Sequence, residues 1–498
     1  MLSLTDIKKI YFLGIGGIGM SALARYFCRR GIAVLGYDKT PSPLTTQLQQ
    51  EGMNIHFEDN PQLIPQDIDV VVYTPAVPHS LAEWKHIQQM EVPCVKRSQM
   101  LGMISTDKET YAVAGTHGKT STTAMLTQIL YGNKPVSAFI GGIAKNFNSN
   151  YVDDNQASIL VVEADEYDRS FLSLNPYVAI VTAMDADHLD IYGSKEKLEQ
   201  SFQDFVDRIS KQGFLITKKP LLNILKPQCN VVTYSLQDSD CDYYVKNLRI
   251  VSNRQCFDIV CPKNRCVSVS FPIAGTHNIE NAVAATAAAD ICGVDIQKIT
   301  ENLNNYLGVK RRFEYVINRP DFVYIDDYAH HPKEIEATIL AVKKLYPNKK
   351  ICGVFQPHLY PRTTDFADDF ALALSSLDKI VLLDIYPARE EPIEGIDALF
   401  LLNKIKNPNK INDKHNNYTI QKQLEFSYIN NNIEMNSINN KIEDNNINNN
   451  IDINKNNNIN NSISLALSKN SFTNEIVNYN SKEIDKINSK EFNQQNEK

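Results

Sequence analysis

Residues 114–121 read Ala114-Gly115-Thr116-His117-Gly118-Lys119-Thr120-Ser121, directly after the short apolar run Tyr111-Ala112-Val113. A strand that runs into small residues and then a Lys-Thr pair reads as a phosphate-binding loop. Glycines let the backbone bend so that successive N–H groups converge on one anion. Lys119 then reaches the terminal phosphates of a nucleotide such as ATP, and the Thr120 hydroxyl suits Mg²⁺. The spacing departs from the common form, because Gly115 stands only three positions before Gly118. A glycine-rich turn with a surface lysine is the plainer alternative.

Upstream, the strand-like run Ile10-Tyr11-Phe12-Leu13 meets Gly14-Ile15-Gly16-Gly17-Ile18-Gly19. An apolar-periodic helix from Met20 to about Arg30 and a second strand, Ala33 to Tyr37, lead to Asp38. This is a β-α-β unit whose first turn (Gly14, Gly16, Gly17, Gly19) lets a diphosphate approach the backbone at a helix N-terminus. Taken alone it suggests NAD, yet any nucleotide diphosphate satisfies the same physics. Further runs, Val70 to Tyr73 and Val92 to Val95, continue an open parallel sheet to about Thr106.

Downstream, strand runs at 157–162 and 178–182 and the Ala-rich helix from Ile279 to Ile291 extend an α/β unit around the phosphate loop. A third unit begins near Arg312, with strands at 322–325, 350–355 and 379–383. Alternating strands and helices of this length predict mostly parallel sheets covered on both faces. After about Leu402 asparagine dominates, as in Asn456-Asn457-Asn458-Ile459-Asn460-Asn461. That tail reads as low-complexity and mainly disordered, with too little apolar surface to offset chain entropy.

Composition narrows the function classes. A net charge of −7 argues against nucleic-acid binding. No apolar run is long enough to cross a bilayer, and the N-terminus lacks a signal-peptide pattern, so a cytoplasmic protein without membrane insertion is expected. Cys256, Cys261 and Cys266 lie in a strand-like stretch without C-x-x-C pairs and read as buried strand thiols rather than a metal site.

Carboxylates cluster where strands end. Glu163-Ala164-Asp165-Glu166 follows one strand, and Glu163, the first residue out of the sheet, suits Mg²⁺. Asp165 and Glu166 divide evenly between chemistry and a solvated loop. Asp187-His188-Leu189-Asp190 follows the next strand, with His188 a candidate second ligand. Asn278, opening the Ala-rich helix, offers a donor and an acceptor to an adenine edge, or a helix cap. In the third unit Asp327-Tyr328-Ala329-His330-His331-Pro332 ends one strand, and Gln356-Pro357-His358 with Arg362 ends the next. Adjacent histidines point apart, which disfavours a zinc pair, and an arginine suits a carboxylate.

These motifs, with Gly115-Thr116-His117-Gly118-Lys119-Thr120, His277-Asn278 and Arg311-Arg312-Phe313-Glu314, resemble the Mur ligases in order and spacing over about residues 8–396. Within the family the chain is similar to the branch that adds L-alanine to UDP-N-acetylmuramate. The resemblance implies an α/β enzyme of peptidoglycan precursor synthesis with three domains: a Rossmann-like UDP-sugar-binding domain (1–106), a central P-loop ATPase-like domain (107–311) and a Rossmann-like amino-acid-binding domain (312–402). The third is expected to be incomplete, because the resemblance ends at about 396, and the Asn-rich tail (403–498) follows it.

The resemblance also implies roles. Gly14, Gly16, Gly17, Gly19 and Asp38 would hold the UDP moiety. Gly115 to Thr120 would bind ATP, with Asn278 on adenine and Arg312 and Asp327 on the phosphate and ribose side. Thr120 and Glu163 would ligate one Mg²⁺ and His188 another. Tyr328, His330 and Arg362 would form the alanine site, and Lys119, Glu163, His188 and Arg362 would carry the chemistry. Two alternatives stand beside this: a remnant that binds UDP-muramate or ATP without turnover, and a ligase that recycles free murein tripeptide.

Overall fold

Lys9–Leu13 explains the first layer of the molecule, because strand side chains alternate between faces. Ile10 and Phe12 join a large core with Leu23, Phe27 and Met100, while Tyr11 and Leu13 face a smaller one with Tyr37, Val71 and Ile87. A strand covered on both faces belongs in the middle of a parallel sheet. In the computed structural model it does: the sheet order is Asn54–His56, Ala33–Tyr37, Lys9–Leu13, Val70–Tyr73, Cys94–Lys96, all parallel. The structure describes residues 3–154, 156–185, 192–252, 254–387, 390–405, 418–421 and 463–468. The chain forms two units, Met1–Lys310 and Arg311–Lys498.

The first unit holds a second sheet, of ten strands among the described residues. Glu109–Ala114, the strand before the phosphate loop, lies between Val178–Val181 and Ile159–Glu163 and is parallel to both. All three therefore end on one edge. The expected parallel character holds at this centre, but both margins are antiparallel. Val136–Ala144 pairs with Ser149–Val152 in that sense, as do Tyr243–Val251, Arg254–Cys261 and Arg265–Phe271 in succession. The stretch containing Cys256, Cys261 and Cys266 is thus a two-stranded hairpin. Cys261 is buried, Cys256 half-buried and Cys266 exposed, so burial holds for only one of the three thiols.

Helix Ile18–Arg29 of the first layer packs on the second sheet. The buried Arg25 guanidinium donates to Glu51 at 2.8–3.0 Å and to the Asn150 side chain. Tyr26 packs against Phe139 and Tyr151. These contacts join the two layers into one unit and bring their loop edges together.

The second unit contains a sheet ordered Glu314–Asn318, Phe322–Asp327, Ile463–Ser468, Lys350–Phe355, Lys379–Leu383, Tyr418–Gln421. Two short stretches of the expected disordered tail are strands here. Tyr418–Gln421 runs parallel to Lys379–Leu383, and Ile463–Ser468 runs antiparallel between Phe322–Asp327 and Lys350–Phe355. The physical reason is local: Tyr-Thr-Ile-Gln and Ile-Ser-Leu-Ala-Leu-Ser carry β-branched, aromatic and aliphatic residues that the flanking asparagine runs lack. Helix Ala398–Ile405 also crosses the expected start of the tail.

Candidate active site

Gly115 and Gly118 explain the irregular spacing of the phosphate loop. Their φ angles are +132° and +84°, in the region that favours glycine. A Cβ on Gly115 would stand 2.2 Å from Thr182 Oγ1, and one on Gly118 2.5 Å from Asn281 Oδ1. Thr182 donates to the carbonyls of Ala114 and His117, Thr116 N–H to Ala183 O (3.0 Å), and Asp185 N–H to Thr116 Oγ1 (3.0 Å). His117 lies 3.6 Å from Asp185. The loop is thus pinned to the end of the neighbouring strand before helix Lys119–Leu130 begins at Gly118.

Lys119 folds back over this loop. Its ammonium donates to Gly115 O and to Glu166 Oε1, both at 2.8 Å. Burial alone would lower the lysine pKa, but Glu166, Asp165 and Glu163 outweigh it and hold the group protonated. Glu166 is fully buried, and burial pushes its carboxyl up to about 7 against the pull of Lys119. Its Oε2 has no partner among the described residues. Glu163 accepts from Thr120 Oγ1 (3.1 Å) and from Gly141 N–H (3.0 Å). A hydroxyl beside a carboxylate is a hard-oxygen donor set that fits Mg²⁺. His188 lies outside the described residues.

In the first sheet, the Asp38 carboxylate accepts from Gly16 N–H at 2.8 Å, and Gly14 has φ +82°. Asp38 therefore shapes the glycine turn, with Gly17 capping the helix that follows. Asn278, buried in helix Thr276–Ile291, donates its side-chain amide to Ala274 O (2.6 Å) and accepts from Asn281 (3.5 Å).

The second unit gathers a separate polar cluster where two strands end. Arg311 and Arg312 lie 5.0 and 5.1 Å from the Tyr328 ring centroid, a cation–π arrangement. Burial raises the Asp327 carboxyl to about 6, partly offset by the Thr338 hydroxyl at 2.5 Å and by Arg312. His330 stands beside the Tyr328 ring, 6.4 Å from the His358 ring, and its backbone N–H donates to Glu334 (3.1 Å). Arg362 approaches His358 Nδ1 at 3.4 Å. Burial, then Arg362 and His330, lower His358 to about 4, so it is neutral at pH 7. His331 instead caps helix Pro332–Leu345 and accepts from Lys333 N–H, so the adjacent histidines do diverge.

Of the expected residues, Lys119, Thr120 and Glu163 come together in the first unit, and Asp327, Tyr328, His330 and Arg362 in the second. Sequence reasoning left Glu166 undecided and did not single out His358 as a site residue, although the strand-end motif Gln356-Pro357-His358 was its signal. Arg97 and Gly141 were missed outright. No group of three or more His, Cys, Asp or Glu suited to a metal occurs among the described residues.

Three family models match in order: "Mur ligase family, catalytic domain" at 9–109, "Mur ligase middle domain" at 113–289 and "Mur ligase, glutamate ligase domain" at 311–425. The last runs past residue 396, where the resemblance was expected to stop. A UDP-N-acetylmuramate–L-alanine ligase of Flavobacterium psychrophilum is 50% identical over 416 residues, 82% of this chain and 91% of that protein. One of Parabacteroides distasonis is 45% identical over 417 residues, 82% of this chain and 90% of that protein. The crystal structure of a UDP-N-acetylmuramate–alanine ligase from Thermotoga maritima superposes with a TM-score of 0.71 at 28% identity, over 84% of this chain and 92% of that one. A murein peptide ligase from Psychrobacter arcticus shares the fold, with a TM-score of 0.62 at 24% identity over 84% of this chain and 91% of that one.

Proposed function

The chain belongs to the Mur ligase family, and on that premise we propose that it joins L-alanine to the carboxylate of UDP-N-acetylmuramate with ATP as the activating co-substrate. The observation that carries this reading is 50% identity across 91% of a relative named for that reaction. No helix among the described residues is long and apolar enough to cross a membrane, and cytoplasmic precursor synthesis is the setting we assign.

A carboxylate is a poor electrophile. The γ-phosphoryl group of ATP is therefore transferred to it, giving an acyl phosphate and ADP. The alanine amine attacks the activated carbonyl, and the tetrahedral intermediate expels phosphate and loses a proton to leave the amide. In our reading Lys119 neutralises charge on the transferring phosphoryl group, in a loop already shaped for an anion. Thr120 and Glu163 would hold Mg²⁺, with His188 as a second-ion ligand. The ion would supply charge neutralisation on the phosphate oxygens. Gly14 to Gly19, shaped by Asp38, would carry the diphosphate of the sugar nucleotide, Asn278 would meet the adenine of ATP, and Arg312 and Asp327 its phosphate and ribose side. Tyr328, His330 and Arg362 would orient alanine for attack. Residues 1–106, 107–311 and 312–402 are our division into sugar-nucleotide, ATP and amino-acid domains.

The test is phosphate release from ATP by the purified protein. It is expected only when UDP-N-acetylmuramate, L-alanine and Mg²⁺ are all present. Turnover with free murein tripeptide but not with alanine would overturn the assignment in favour of recycling. Binding without turnover would identify a remnant.

A further inference from the structure

Arg97 opens helix Arg97–Ser105 directly after the edge strand Cys94–Lys96. It therefore sits at the carboxyl end of a parallel sheet, where ligands of such sheets bind. Its side chain spans the two loops of the first unit. A Cβ on Gly19 would stand 3.0 Å from Arg97 Cδ and 3.1 Å from Nη1, and Nη2 lies 3.5 Å from Asp165 Oδ2. Arg97, Glu163, Asp165 and Ser170 line a small pocket, with Leu101 and Phe171 as apolar walls, between the start of helix Arg97–Ser105 and the acidic segment that holds Lys119.

We propose that Arg97 binds the carboxylate of the acid substrate and presents it to the phosphate loop. The proposal rests on the function assigned above and extends it to a residue that the motifs do not contain. An acid tethered to a diphosphate at Gly14–Gly19 must bring its carboxylate toward Lys119 past Glu163 and Asp165. Repulsion there needs a cation. Lys119 is engaged by Glu166, and Arg97 is the basic side chain among the described residues lining the pocket. Its present partner is replaceable: the Asp165 contact is long, and the two side chains are 22% and 41% exposed, the setting in which ion pairs contribute little. A guanidinium can instead take a substrate carboxylate through two parallel hydrogen bonds.

The experiment compares equilibrium binding of UDP-N-acetylmuramate and of UDP-N-acetylglucosamine, which lacks the lactyl carboxylate, to the full chain without ATP. R97A is expected to weaken the first by about 10- to 100-fold and the second by less than about threefold. R97K should recover only part of the loss, because a lysine keeps the charge but not the fork. D165N should leave the first ligand bound at least as tightly as in the wild type. Equal weakening of both nucleotides by R97A would overturn the proposal and place Arg97 on the diphosphate. The same loss in D165N as in R97A would overturn it in favour of a purely structural ion pair. Wild-type protein that binds UDP-N-acetylmuramate but does not turn it over would count against the ligase reading alone, since the binding comparison needs no turnover.

Discussion

The Lys119 ammonium lies 2.8 Å from Oε1 of Glu166, a carboxylate with no solvent exposure. The lysine to which we assign phosphate binding is thus held by a neighbour 47 residues away, at the same sheet edge. Glu166 keeps the charge in place before nucleotide arrives, and phosphate oxygens can take over the ammonium when it does. Replacing it by alanine, E166A, leaves a largely buried cation without its main partner, at a cost of about 3–5 kcal/mol. Chemical denaturation should show that loss, and saturating ATP should recover part of it. Unchanged stability in E166A would remove the role given to this pair.

Gly115 should not tolerate a side chain. G115A combines φ +132° with a Cβ only 2.2 Å from Thr182 Oγ1 and 2.9 Å from Ala183 N. Strain of about 1–3 kcal/mol in the loop itself corresponds to about a 5- to 150-fold fall in kcat/KM for ATP. Gly132 is the control, with φ +77° and nothing within 4 Å of its Cβ position. G132A should lower stability slightly and leave the ATP kinetics intact. Steady-state kinetics with varied ATP decides; equal losses in the two variants would rule out the clash as the cause.

Glu83 gives a pH signature away from the chemistry. It is fully buried, accepts from Tyr11 OH at 2.6 Å, and lies 3.5 Å from His56. Burial raises it to about 7, partly offset by the bonds from Tyr11 and Asn60. A carboxyl whose folded pKa is raised contributes most below its unfolded pKa, and that contribution is lost as pH rises through the folded value. Relative to E83Q, the wild type should lose about 3 kcal/mol between about pH 4.5 and pH 7. Urea unfolding of both proteins at several pH values measures the difference, and a flat difference would contradict it.

Arg362 should separate alanine recognition from the rest of the reaction. Because His358 is neutral at pH 7, the 3.4 Å Arg362–His358 contact can orient the guanidinium without repulsion. R362A removes charge-assisted bonds of about 1.5–3 kcal/mol and should raise KM for alanine about 10- to 100-fold. KM for ATP and for UDP-N-acetylmuramate should stay within about twofold, and R362K should restore little. A rise shared by all three substrates would show that Arg362 does not serve the amino acid.

The geometry of both glycine loops was legible because it is encoded locally. A strand, glycines placed where φ must be positive, and a helix start all lie within a dozen residues of sequence, so the phosphate loop at Gly115–Thr120 and the turn at Gly14–Gly19 can be read from the chain. Glu163 followed from the same logic of carboxylates at strand ends, although the structure makes it the last residue of strand Ile159–Glu163 rather than the first beyond it. The strands at Tyr418–Gln421 and Ile463–Ser468 were not legible, because a composition averaged over many asparagines hides short β-prone stretches.

The sequence by itself determined which segments turn, where glycines take positive φ before a helix and which family the chain resembles, since each depends on residues close together in the chain. Only the tertiary structure decided the partners: Glu166 for Lys119, Gly141 N–H for Glu163, His358 for Arg362, and Arg97 between Gly19 and Asp165. Except for His358 and Arg362, these residues are tens of positions apart. They meet because strand order sets which strand ends share an edge, and strand order is a property of the packed sheet rather than of any local stretch of sequence.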